Sequence, residues 1–275
     1  LTINQNAELL KKLFLFTQTK GLLFCDIIKS VQRSKVMEYA KKQFIKIMLI
    51  FLGYILTLIF FAVLYFVLPI DDNIKLSLLL IVLILALTAL FWIKPRMTYH
   101  SESYSYYRLI SVQNSPKKLS NFISYVDVIT SLKNKDFLVF FQNEQFIILH
   151  RHTYDQNNLA TRRPMIELFI LIIDKNLHYK SALIDKQINL LEDMYFNKKT
   201  KITNYTIITI KNGNDFSDEI KKECDEVTFS KIRYRSIVTI NAFINEKDKT
   251  IYFLHSDVYH PNLYYKYATE MIQSL

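Results

Sequence analysis

Two uninterrupted apolar runs dominate the chain. Ile47 to Ile70 (IMLIFLGYILTLIFFAVLYFVLPI) and Leu76 to Ile93 (LSLLLIVLILALTALFWI) contain no charged residue. As helices, both are long enough to cross the ~30 Å hydrocarbon layer of a bilayer. Helices buried in a soluble core usually keep a polar stripe, and these keep none. A cleaved signal sequence would not start so far into the chain with a second run directly behind it. Only Asp71-Asp72-Asn73-Ile74-Lys75 separates the runs, so residues 44–96 are expected to form an antiparallel transmembrane hairpin with spans at 47–70 and 76–93.

Before the hairpin, residues 1–43 read as a basic amphipathic helical arm. Leu9, Leu10, Leu13 and Phe14 share one face, and Leu23, Ile27, Ile28 and Val31 repeat the pattern beyond Gly21, which is expected to bend or break the helix. Two placements stay open for its apolar face. It lies in the membrane interface beside anionic lipid, or it packs on the region that follows.

After the hairpin the periodicity changes. Residues 97–160 are expected to be a β-rich unit. Met97 to Tyr107 carries four tyrosines and reads as strand, as does Asn121 to Thr130. Asp136 to Phe141 and Phe146 to His152, joined by Gln142-Asn143-Glu144-Gln145, form the clearest β-hairpin in the chain. Residues 161–275 alternate strand and helix. The expected strands are Met165–Ile173, Tyr205–Ile210, Tyr234–Ile244 and Thr250–His255. The expected helices are Ser181–Phe196, Ser217–Val227 and Pro261–Leu275. That order suggests a small mixed-sheet α/β sandwich. The fold class is thus a membrane α-hairpin of two transmembrane helices plus a cytoplasmic α+β region.

The order of basic arm, helical hairpin, Lys94-Pro95-Arg96, strand run, Tyr125-Val126-Asp127-Val128 and the Lys135 to Arg151 hairpin resembles the bacterial YcxB-like proteins over residues 40–155. The resemblance implies a cytoplasmic unit similar to a pleckstrin-homology fold, acting as a membrane-anchored binding module without catalytic residues. His150-Arg151-His152 departs from that family's pattern, as does the long continuation after it.

Charge adds a direction. Of the net +10, about +7 falls within residues 1–96, clustered before the first span and just after the second. The positive-inside rule then places both termini in the cytoplasm of a cell membrane and the link outside. Lys41, Lys42, Lys46, Trp92, Lys94 and Arg96 become membrane-interface residues, with anionic inner-leaflet lipid as a partner. This distribution accounts for most of the basicity without a nucleic-acid partner. No carboxylate, histidine or lysine lies within the spans, so a proton or ion pathway lacks its usual residues.

Candidate chemistry is sparse. The three glycines, Gly21, Gly53 and Gly213, are far apart, which argues against a phosphate-cradling loop, and no cofactor is expected. Cys25 and Cys224 form no paired-cysteine zinc motif. His150 and His152 fall on one face of a strand and, with His255, Asp257 and His260, make a weak metal candidate. Asp174 and Lys175 at a strand end, with Glu167 on the same strand, suggest metal-dependent phosphodiester cleavage, although seven residues' separation puts the two carboxylates on opposite faces. Exposed aromatics favour protein interfaces, which makes Tyr99, Tyr104, Tyr106, Tyr107 and Tyr125 partner-binding candidates. Three functions stay open. They are a membrane-anchored binding or assembly protein, a tethered metal-dependent hydrolase or nuclease, and an oligomeric membrane-permeabilising effector.

Overall fold

The computed structural model describes the backbone of residues 3–67, 69, 71–119, 124–155, 163–200, 202–232 and 235–275. Side chains are described from residue 35 onward within these segments, except at 72, 231, 232 and 235. The chain divides after Ser111 into two units.

The first unit is helical. Helix α1 spans Ile3–Val67 and helix α2 spans Asp72–Ser111. The expected break at Gly21 is absent, since α1 runs through it. The arm's apolar face falls outside the described side chains. Both helices contain stretches long and apolar enough to cross a membrane, within Lys35–Val67 and Asn73–Ser111. Leu58 and Val82, Ala62 and Leu78, and Tyr65 and Lys75 line the same crevice, which sets the antiparallel register. Deeper in the pair the Tyr54 hydroxyl donates to the Ala86 carbonyl at 3.0 Å, and Ile47 and Ile93 are both buried. Thr57, Ser77 and Thr88 each donate to the carbonyl four residues earlier, so these hydroxyls need no water.

The strand expected at Met97–Tyr107 is helix, the final turns of α2. Once a long helix exists, each added residue gains a hydrogen bond without a new nucleation cost, which outweighs the weak strand preference of tyrosine. Pro95 sits inside α2 and removes only one backbone donor.

The second unit is one eight-stranded mixed sheet with helices on both faces. Its strands are β1 (Lys117–Lys118), β2 (Leu138–Gln142), β3 (Phe146–Tyr154), β4 (Pro164–Ile172), β5 (Asn204–Gly213), β6 (Thr228–Ile232), β7 (Arg235–Asn245) and β8 (Thr250–Phe253). The order across the sheet is β1-β8-β7-β5-β4-β3-β2, with β6 also on β7. Strands β2, β3 and β4 form an antiparallel meander, whereas β4, β5 and β7 are parallel. The boundary expected at residue 160 therefore falls inside one sheet. The β2–β3 hairpin could not close a separate fold, because β3 pairs along its whole length with β4.

Helix α3 (Tyr125–Lys133) replaces the strand expected at 121–130, where the described residues begin at Ser124. Ser124 caps it, and the Asp127 carboxylate accepts in return from the Ser124 N–H, a capping box that overrides Val126, Val128 and Ile129. Two of the strands that carried the resemblance are thus helices.

Helices α4 (Ala182–Asn197), α5 (Asp218–Asp225) and α6 (Leu263–Gln273) start on the side-chain caps of Ser181, Ser217 and Asn262. Met165 to Ile172 of β4 are all buried, as a central strand covered on both faces requires. Even-numbered residues of β4 join the core beneath α4, with Ile184, Leu191 and Tyr195. Odd-numbered residues face the opposite way, where Phe169 packs edge-on against Phe137.

Candidate functional site

The buried polar groups of the second unit fall into separate hydrogen-bonded clusters. Glu167 is fully buried in β4. Arg151 on β3 reaches Glu167 Oε2 through Nε at 2.7 Å and through its terminal nitrogen at 2.6 Å. Tyr267 of α6 donates to Oε1 at 2.5 Å. The guanidinium also donates to the Lys135 carbonyl at 2.7 Å and lies over the Phe137 ring. A carboxylate so placed ties β3, β4, α6 and the turn before β2 together. Burial first, then the Glu167 carboxylate as hydrogen-bond acceptor, pushes the Tyr267 phenol well above its ordinary range.

A second cluster surrounds the buried Asp155 just beyond β3. Its Oδ2 accepts from Asn204 Nδ2 at 2.9 Å and from the Tyr264 hydroxyl at 2.5 Å, and Asn204 Oδ1 accepts from Ser236 at 2.7 Å. These residues join the first turns of β5 and β7 to α6.

The histidines expected at a metal divide between two places. His150 and His152 do share the α4 face of β3. His150 Nδ1 lies 2.9 Å from the Tyr195 hydroxyl, and His152 stacks on the Tyr195 ring. Burial, followed by the charges of Lys198 and His152, holds His150 below the ordinary histidine range. His255 instead stacks on Phe253 and pairs with that residue's carbonyl, while Asp257 is held by the Asn114 side chain. Among the described residues, no three His, Cys, Asp or Glu side chains, including His260, gather at metal-binding range.

The nuclease-like set is not assembled either. Glu167 is committed to Arg151, whereas Asp174 caps a surface turn by accepting from the Asn176 N–H at 2.9 Å. Lys175 is exposed. Cys224 is buried against Tyr179, and burial pushes its thiol up to about 12, so it stays protonated at neutral pH.

The tyrosines expected at a partner surface also separate. Tyr99, Tyr104, Tyr106 and Tyr107 lie on α2, with Tyr99 exposed and Tyr104 stacked on Phe44 of α1. Tyr125 is structural. Its hydroxyl donates to the Ile172 carbonyl and accepts from the Asn212 N–H at 2.9 Å, bridging the ends of β4 and β5.

Among the residues expected at a membrane interface, Arg96 stacks over Trp92 at 3.6 Å from the ring centre, and Lys42 pairs with Glu38 one turn earlier. Lys46 precedes the buried Ile47 and Lys94 follows the buried Ile93, each at an end of an apolar run.

Among the described residues, clefts open on the second unit at two places of note. One of about 770 Å³ lies at the C-terminal end of α4 between Phe196, Lys199 and Tyr205. Another of about 450 Å³ lies at the C-terminal ends of β5 and β7, floored by Phe216, Phe243 and Tyr252. Neither is lined by one of the candidate site residues named above. The buried Arg151–Glu167–Tyr267 cluster did have a signal, a lone carboxylate in the apolar run Met165 to Ile173, which demands a buried partner. Compared with protein-family models, curated proteins and solved structures, the chain matches none.

Proposed function

We propose that the chain is a membrane-anchored binding protein, with its termini in the cytoplasm and its sheet unit recruiting a protein partner to the inner face of the membrane. The observation that carries this reading is the contrast in surface between the units. Helices α1 and α2 turn their apolar side chains outward, with only 6% of each most apolar stretch buried. The ionisable groups buried in the sheet core are instead engaged in internal bonds that fasten strands to helices. Exposed apolar side chains on the sheet unit, among them Tyr154, Phe196, Val258 and Leu263, supply contact surface of the kind interfaces use. The excess of lysine and arginine flanking the spans supports the orientation.

Cysteine labelling tests the anchor. In a Cys25→Ser background, Asn73→Cys should react with an impermeant thiol reagent on intact cells, while Ser115→Cys and Asn214→Cys should not. Labelling at Asn214 from outside would overturn the reading. The binding role is tested by the partner that the full chain retains in native membrane. Its recovery should survive alanine at His150, His152 and Asp174 and vanish on removal of residues 47–93. A cellular phenotype lost with Asp174→Ala, while folding and partner recovery stay normal, would establish an enzyme instead.

A further inference from the structure

The interface cations are not spread evenly around the hairpin. Ile47 and Ile93 are buried at the same level of the antiparallel pair, with the register confirmed by Tyr54 and Ala86 above them. Taking these two as the seam, each further residue turns about 100° around its helix, in opposite senses for two antiparallel helices. On that count Tyr39, Lys42 and Lys46 of α1 project to one side of the seam. Trp92, Arg96 and Tyr99 of α2 project to the same side. Lys41 and Lys94 project to the opposite side. The stacking of Arg96 on Trp92 agrees with this placement. Tyr39, Trp92 and Tyr99 are 65%, 51% and 66% exposed, so three amphipathic rings frame the cations rather than fill a core. Lys42 is partly neutralised by Glu38, which leaves Lys46 and Arg96 as the principal charges.

We infer that this face seats the phosphate of one anionic phospholipid between Lys46 and Arg96, with the lipid glycerol and upper acyl chains against Trp92. The inference rests on the membrane-anchored reading above. Arg96 is pre-positioned by its ring, so its planar donors face a phosphate with less ordering cost than a free side chain. Trp92 stands at the end of the apolar run, at the depth where indole and headgroup meet. The occupant is a lipid rather than a soluble phosphate because, on the same count, the seat adjoins exposed apolar surface on its own side of the pair, from Leu49 and Ile50 on α1 to Leu85 on α2.

The experiment compares two double variants of equal charge change in the full chain. Detergent-solubilised protein is titrated with phosphatidylglycerol or phosphatidylcholine and followed by native mass spectrometry. Lys46→Gln with Arg96→Gln should weaken phosphatidylglycerol retention about tenfold more than Lys41→Gln with Lys94→Gln, on a scale of about fivefold per cation near a charged surface. Equal losses in both variants, or equal retention of the two lipids by the parent chain, would overturn the seat. Displacement of phosphatidylglycerol by millimolar inorganic phosphate would overturn the lipid as its occupant. Resistance of each variant to alkaline carbonate extraction checks insertion separately. Failure there counts against the membrane-anchored reading, whereas an inserted chain without lipid selection counts against the seat alone.

Discussion

The same residue types behave in opposite ways in the two units. Leu85 of α2 is 65% exposed, while Ile170 of β4 is wholly buried, yet both sit in runs of leucine and isoleucine. The difference lies in what satisfies the backbone. A helix completes its hydrogen bonds within itself and can turn every side chain toward a hydrocarbon solvent. A strand needs neighbours on both sides, and β4 obtains them from β3 and β5, which closes its side chains into the core. Apolar composition in this chain therefore does not by itself say inside or outside; the length of the run and the secondary structure it forms decide.

A charge placed in each run separates the two most sharply. Ile170→Asp should abolish cooperative unfolding of the second unit, since an unpaired carboxylate in that core costs several kcal/mol. Leu85→Asp should leave the melting of that unit unchanged and instead impair membrane insertion, at about 2.5–3.5 kcal/mol for a mid-span carboxylate. Melting curves and carbonate extraction read the two outcomes. A drop in the melting temperature of the second unit with Leu85→Asp would break the comparison.

The next effect tests the buried ion pair. Glu167→Ala leaves Arg151 without its partner and should destabilise the second unit by about 3 kcal/mol, measured by urea unfolding. Replacing both residues, Arg151→Met with Glu167→Leu, should recover most of that loss. If the single substitution cost nothing, the cluster would not be fastening β3, β4 and α6.

His150 sharpens the comparison through pH. Its folded-state pKa is lowered, so the unfolded chain binds its proton first as pH falls below the ordinary histidine value of about 6.5. Stability should therefore decline from there toward the lower folded value and then level off. His150→Gln should flatten that portion of the pH–melting profile, and an unchanged profile would remove His150 as its source.

The smallest effect belongs to the hairpin. Tyr54→Phe removes the bond to the Ala86 carbonyl and should weaken association of the two helices by about 0.6 kcal/mol, the usual size of an interhelical bond in a bilayer. A steric-trap or helix-fragment association assay in bilayers resolves a change of that size.

Much of this architecture is readable from local signals. Uncharged runs named both long helices, and the strand–helix alternation after residue 161 named β4, α4, β5, α5, β7, β8 and α6 within a few residues. The readings failed where two local tendencies competed. Tyrosine-rich Met97–Tyr107 continued a helix already formed, and the Ser124–Asp127 box outweighed β-branched residues behind it. Strand β6 carries too little periodicity to stand out, and it exists because the start of β7 offers it an edge. The candidate metal and nuclease residues were visible as residue types but not as neighbours. Whether His150 meets His255, or Glu167 meets Asp174, depends on strand order and side-chain facing.

The sequence by itself determined that two apolar stretches would be helices with outward-facing side chains. Their length and lack of charge admit no other way to satisfy the backbone beside an apolar solvent. It also determined that cations would collect where those stretches end. Tertiary structure alone decided that residues 112–275 share a single sheet, because strand pairing joins residues far apart in the chain through backbone groups that every sequence carries. It likewise decided that Glu167 would meet Arg151 and Tyr267 rather than Asp174. A buried carboxylate takes the donors that the neighbouring strand and the covering helix bring within reach.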